Sequence, residues 1–233
     1  MKPIYPLGIL GGMGPYSTAP FLNHVLDACK RLYSPKSDLD FPHIIIYSLP
    51  TPYHPEDKGY GEGVVDTLKV GIDALVKSGA QVIAVPCNSV HRFYETMTQL
   101  SSVPVLNIID ETILKLEKNT KPIGLLATRA TIESTLYQKG LETQGKAFFW
   151  DDSLQTKVDQ LVASFKAVGV NEDTKTIWKN IARHLHTNQV QEVLIGCTDL
   201  FFCALLSPEL RFYDSSVILA EKLVRMYITH ALC

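Results

Sequence analysis

The chain has 233 residues, 46% of them hydrophobic and 20% charged, with a formal net charge of −2. That length holds one large domain or two small ones with cores of their own, and the charge balance offers no basic excess to attract a nucleic acid. No apolar run reaches the length a bilayer requires. The proline-bearing N-terminus lacks the apolar core of a signal peptide, so no membrane association and a cytoplasmic location are expected. Five cysteines, Cys29, Cys87, Cys197, Cys203 and Cys233, form neither an even disulfide framework nor a C-x2-C metal pair.

Taken in order, the apolar run at 7–10 predicts a buried strand. It enters Gly11-Gly12-Met13-Gly14-Pro15, where glycine permits positive φ and close backbone approach. Ser17 or Thr18 can start the helix expected over 19–32. The turn is neither a P-loop nor a G-x-G-x-x-G fingerprint. A strand at 43–49 leads into a loop over 50–61 rich in proline, glycine and charge. Long loops of this kind are often functional. Leu68, Ile72, Leu75 and Val76 share one face of a helix at 64–77, with Gly79 as its C-cap. The apolar run at 82–85 then ends on Pro86-Cys87-Asn88-Ser89-Val90-His91. A helix at 93–100, a strand at 103–108 and a helix at 110–118 follow.

At Pro122 the pattern begins again. Ile123-Gly124-Leu125-Leu126-Ala127-Thr128 parallels Leu7-Gly8-Ile9-Leu10-Gly11-Gly12 at an offset of 116 (Leu7 to Ile123), and a second cysteine follows the first at an offset of 110 (Cys87 to Cys197). Two similar offsets in the same order predict an internal duplication. A helix at 132–141, a strand at 147–150, helices at 153–168 and 173–186, and a strand at 190–195 precede Gly196-Cys197-Thr198-Asp199. A strand at 211–214 and a helix from Ser215 close the chain. The expected fold class is α/β, with two similar doubly wound parallel-sheet domains. If the tail packs back on the first half, the domains are 1–105 plus 211–233 and 106–210. A site in the cleft between them would collect both cysteine loops.

A lone apolar-flanked cysteine is more often packing than chemistry, which fits Cys29, Cys203 and Cys233. Cys87 and Cys197 each end an apolar strand and precede small polar residues, a setting that suits a thiolate. Two thiols facing one carbon have a specific use: one removes a proton and the other delivers a proton to the opposite face. The enediolate-like intermediate then needs fixed donors, which Gly12-Met13-Gly14 amides, Asn88, Ser89 and Thr198 can supply. The rival reading of Cys87 is a nucleophile with His91 as its base. Against it, His91 can simply line the helix start or support the site from behind.

The three motifs Gly8-Ile9-Leu10-Gly11-Gly12-Met13-Gly14-Pro15, Pro86-Cys87-Asn88-Ser89-Val90-His91 and Gly196-Cys197-Thr198-Asp199 together resemble the aspartate/glutamate racemase superfamily. The resemblance is greatest to cofactor-independent aspartate racemases. It implies two α/β domains with pseudo-twofold symmetry, no pyridoxal phosphate or metal, a small acidic amino acid as substrate, and a homodimer. It implies that Cys87 and Cys197 are the acid–base pair, that Met13, Asn88, Ser89 and Thr198 line carboxylate sites, and that Lys166 pairs with a substrate carboxylate. The chain departs from the family pattern in three places. Ser89 stands where threonine is usual, Asp199 where glutamate is usual, and no arginine occurs between Leu49 and Gly63. Thr51, His54 and Lys58 are the polar candidates in that loop. Hydantoin racemase, maleate isomerase and a non-catalytic dicarboxylate-binding protein are the alternatives.

Overall fold

A computed structural model describes residues 5–51, 63–117 and 121–232. His54, Lys58, the end of the helix expected to reach 118, and Cys233 lie outside the described residues. The chain divides into two compact units, 1–111 with 216–233, and 112–215.

The first unit is built on β1 (Leu7–Gly11), β2 (Ile44–Ser48) and β3 (Val82–Ala84), all parallel in the order β2-β1-β3. Every residue of β1 is buried, which is why its sequence is a continuous apolar run rather than an alternating one. Gly8 is required by packing, since a Cβ there would meet Ala80 Cβ at 2.9 Å and the Val82 carbonyl at 3.2 Å. The helices are α1 (Thr18–Tyr33), α2 (Val64–Lys77), α3 (Tyr94–Leu100) and α4 (Ile108–Leu114). The periodicity that predicts α2 is the stripe it buries, Leu68, Ile72 and Leu75.

The strand expected at 103–108 is reduced to one parallel bridge, Ile83 with Val105. Ile83 N–H donates to the Pro104 carbonyl at 2.8 Å and its carbonyl accepts from Leu106 N–H at 2.9 Å. The ladder stops there because Asn107 caps the next helix: its Oδ1 accepts from Ile109 N–H at 3.0 Å and Asp110 N–H at 3.3 Å.

The second unit repeats the plan and adds a strand. It contains β4 (Ile123–Ala127), β5 (Phe148–Phe149), β6 (Glu192–Gly196) and β7 (Arg211–Asp214), all parallel in the order β5-β4-β6-β7. Around it lie α5 (Arg129–Glu133), α6 (Leu136–Thr143), α7 (Asp152–Val168), α8 (Glu172–Thr187) and α9 (Cys203–Leu206). β4 holds the place of β1, β5 that of β2 and β6 that of β3, so the duplication read from the offsets is visible in the strand order. Gly124 repeats the role of Gly8, because a Cβ there would lie 2.8 Å from Leu185 Cδ2. The Val105 bridge occupies the place that β7 fills beside β6.

β7 differs from its expected place. The sequence reading assigned 211–214 to the first domain, yet Val193 pairs with Phe212 and Leu194 with Tyr213 in the second sheet. The chain returns to the first unit one element later, with α10 (Ser215–Tyr227) and a short π-helical turn, Ile228–Leu232. In that unit Lys222 pairs with Glu111 at 2.8 Å and Tyr5 stacks on His230 at 4.8 Å. A buried ion pair fixes the start of β6: Lys146 Nζ lies 2.9 Å from Glu192 Oε2, with the side chains only 4% and 7% exposed.

Candidate active site

The candidate residues of the first unit lie where three parallel strands end, the edge at which α/β sheets gather ligands. After β1, Gly12 turns the chain with φ +93°, and a Cβ there would sit 2.5 Å from the Leu49 backbone. Gly12 N–H donates to Thr18 Oγ1 at 2.9 Å, and Leu49 N–H donates to the Gly11 carbonyl at 3.0 Å. The turn after β1 is thereby clamped to the end of β2, two residues before half-buried Thr51. Met13, the next residue in the turn, shares one buried apolar cluster with Leu10, Cys87 and Val90.

After β3, Cys87 N–H donates to the Val85 carbonyl at 2.8 Å, and the chain tightens into a 3-10 helix, Ser89–Phe93. Cys87 is 6% exposed, and its Sγ lies 3.6 Å from Ser89 Oγ. Asn88 and Ser89 are buried beside it. A small hydroxyl within reach of the sulfur is one group that can hydrogen-bond a thiolate.

His91 holds this loop from beneath. It is almost wholly buried, with Nδ1 2.7 Å from the Cys87 carbonyl and Nε2 3.3 Å from the Leu106 carbonyl. Both carbonyls favour protonation, but burial disfavours the cation more strongly and lowers the pKa to about 4. Neutral imidazole carries one N–H, and the shorter contact assigns it to Nδ1. Nδ1–H therefore donates to the Cys87 carbonyl and pins the cysteine loop, while Nε2 packs against the Leu106 carbonyl beside the Val105 bridge. With both ring nitrogens turned to backbone carbonyls, it is a positioning group rather than a base for the Cys87 thiol.

The second unit repeats the construction. β6 ends on Gly196, where a Cβ would meet Tyr137 Cε2 at 2.9 Å and Ala127 Cβ at 3.2 Å. Cys197 follows in extended conformation and caps a 3-10 helix, Thr198–Leu200, its carbonyl accepting from Leu200 N–H at 3.0 Å. Cys197 and Thr198 are each 6% exposed. Cys203, by contrast, packs inside the unit, and burial pushes its thiol well above the ordinary range, with Cys197 and Asp214 adding to the rise. Burial raises Cys29 as well, so both behave as packing residues.

Lys166 lies in the last turn of α7, with its Nζ 3.8 Å from Asp199 Oδ2. Sequence reasoning named Lys166 but missed this pairing, because residues 33 positions apart carry no spacing signal. Among the described residues, no group of three or more His, Cys, Asp or Glu side chains is arranged to hold a metal ion. Nor is any helix among them long and apolar enough to cross a membrane.

Each unit thus carries a parallel α/β sheet with a nearly buried cysteine just past the end of a buried strand. The model of the Asp/Glu/Hydantoin racemase family matches residues 10–223. The chain is 35% identical over 225 residues to the broad specificity amino-acid racemase RacX of Bacillus subtilis (strain 168), covering 96% of this chain and 99% of that protein. The aspartate racemase of Picrophilus torridus superposes with a TM-score of 0.80 at 25% identity, covering 95% of this chain and 94% of that one. A glutamate racemase of Francisella tularensis subsp. tularensis SCHU S4, in complex with D-glutamate, shares the fold at a TM-score of 0.67 and 14% identity, covering 97% and 81%. The chain belongs to the Asp/Glu/Hydantoin racemase family, and it is an isomerase of the amino-acid racemase class.

Proposed function

We propose that the chain interconverts L- and D-aspartate, or a close acidic amino acid, by proton transfer between two thiols and the substrate Cα. Cys87 and Cys197 are the acid–base pair. One sulfur, as thiolate, takes the Cα proton; the C–H bond breaks, an S–H bond forms, and the electron pair moves into the α-carboxylate. The other thiol gives its proton to the opposite face of Cα and is left as the thiolate. Each turnover thus exchanges the protonation states of the two sulfurs and inverts the carbon.

The observation that carries this reading is the repetition. Two copies of one local design, a buried strand, a nearly buried cysteine and a 3-10 turn, place Cys87 and Cys197 at equivalent strand ends. Packing alone gives no reason for the same thiol at both. Met13, Thr51, Asn88, Ser89 and Thr198 are the proposed substrate contacts, as side chains or neighbouring backbone amides. Lys166 is the proposed partner of a second carboxylate. This chemistry asks for neither pyridoxal phosphate nor a metal, and activity is expected to survive dialysis against a chelator. A homodimer is the proposed assembly, to be read by light scattering.

Conversion of L-aspartate followed by chiral chromatography tests the function. Cys87→Ser and Cys197→Ser should each lower racemisation by roughly a thousandfold, since a serine hydroxyl is a far weaker acid than a thiol. Single variants that racemise like wild type would sink the two-thiol reading.

A further inference from the structure

Asp199 sits two residues after Cys197 with a side chain only 6% exposed. Its Oδ2 lies 3.8 Å from the Lys166 ammonium. Its Oδ1 is buried and accepts no hydrogen bond from any described residue. Burial raises the Asp199 pKa, while the nearby Lys166 charge pulls it down. A carboxylate held in this way depends on its cation, because removing the partner leaves a buried charge uncompensated.

Lys166 is also fixed at its base. Its neighbour Phe165 stacks on Phe202 at 5.3 Å and meets Phe201 edge-on at 5.9 Å, which anchors the last turn of α7 on the segment after Cys197. The ammonium is therefore presented beside Asp199 by the packing of the unit. The lysine side chain is 37% exposed, so it also reaches solvent.

An acidic substrate would make Lys166 serve two carboxylates. Drawing the ammonium toward the substrate leaves Asp199 either charged and unpaired or forced to take up a proton. A substrate with an uncharged side chain imposes neither cost, because Lys166 keeps its internal counter-ion. We propose that Asp199 is a specificity-determining residue: by competing for Lys166 it narrows the advantage of a substrate with a second carboxylate and lets amino acids with uncharged side chains turn over beside aspartate. The proposal rests on the racemase reading and on Lys166 facing the substrate side chain.

The test compares aspartate with asparagine, its uncharged isostere, by kcat/KM in wild type, Asp199→Asn, Lys166→Gln and the double variant. Wild type is expected to racemise asparagine within about tenfold of aspartate. Asp199→Asn should raise the aspartate-to-asparagine ratio roughly tenfold, mainly through a lower KM for aspartate, as an ion pair with substrate replaces one within the chain. In the Lys166→Gln background the same substitution should leave the ratio unchanged. A wild type that prefers aspartate more than a hundredfold overturns the proposal even if Asp199→Asn fails to fold. So does a ratio that Asp199→Asn does not move, or moves equally without Lys166. A wild type inactive on both amino acids would overturn the racemase reading itself, and this proposal with it.

Discussion

Acidification should loosen the fold through His91 in a pH window set by its burial. In the folded chain its pKa is lowered to about 4, whereas an unfolded histidine titrates near 6.5. Between those values the unfolded state binds a proton that the folded state refuses, so stability rises with pH there. The contribution is fully present above about pH 6.5 and is lost as pH falls toward 4. At about 1.4 kcal/mol per pH unit over that window, the loss approaches about 3 kcal/mol. Other groups titrate in the same range, so the assay is a difference. Urea unfolding is followed from pH 4 to 7.5 for wild type and His91→Asn, whose amide reaches the position of Nδ1 and can keep the bond to the Cys87 carbonyl. Subtracting the two curves should leave a slope confined to this window. Parallel curves would refute the placement of His91 as a buried neutral group. Thiol alkylation at Cys87 adds a functional readout, because His91→Ala, which releases the loop, should alter its rate while His91→Asn preserves it.

Two further substitutions probe the scaffold. Gly12→Ala puts a methyl 2.5 Å from the Leu49 backbone at a φ of +93°, and should cost about 2 kcal/mol or more in denaturant unfolding and reduce turnover. A variant as stable as wild type would show that the turn after β1 is not clamped to Leu49. Lys146→Met breaks the buried pair with Glu192 and should cost roughly 3–5 kcal/mol, whereas adding Glu192→Leu should recover most of that loss. An equally unstable double variant would locate the cost in packing rather than in the unpaired carboxylate.

Much of this architecture is legible in the sequence because it rests on local signals. α2 (Val64–Lys77) is found residue for residue, since its apolar stripe and its glycine stop agree. The duplicated strands are legible because both central strands are buried on two faces and carry a glycine at the same place. The strand expected at 103–108 shrank because an Asn107 cap competes with the ladder, a contest decided by hydrogen bonds beyond the reach of apolar pattern. β7 joined the other sheet because strand choice is a long-range matter: Phe212 and Tyr213 read equally well as a strand in either unit. At the site, Cys87 and Cys197 announce themselves by motif. The Asp199–Lys166 pair and the Leu106 carbonyl beside His91 do not, because each joins segments that only the fold brings together.

Incorporation of solvent deuterium at Cα tests the central claim most directly. With L-aspartate in heavy water, the purified protein should yield D-aspartate carrying one deuterium at Cα. Cys87→Ser and Cys197→Ser should each slow formation of that product by roughly a thousandfold. Racemisation that retains the original hydrogen, or no exchange with aspartate, glutamate or asparagine, would contradict proton transfer through the two thiols.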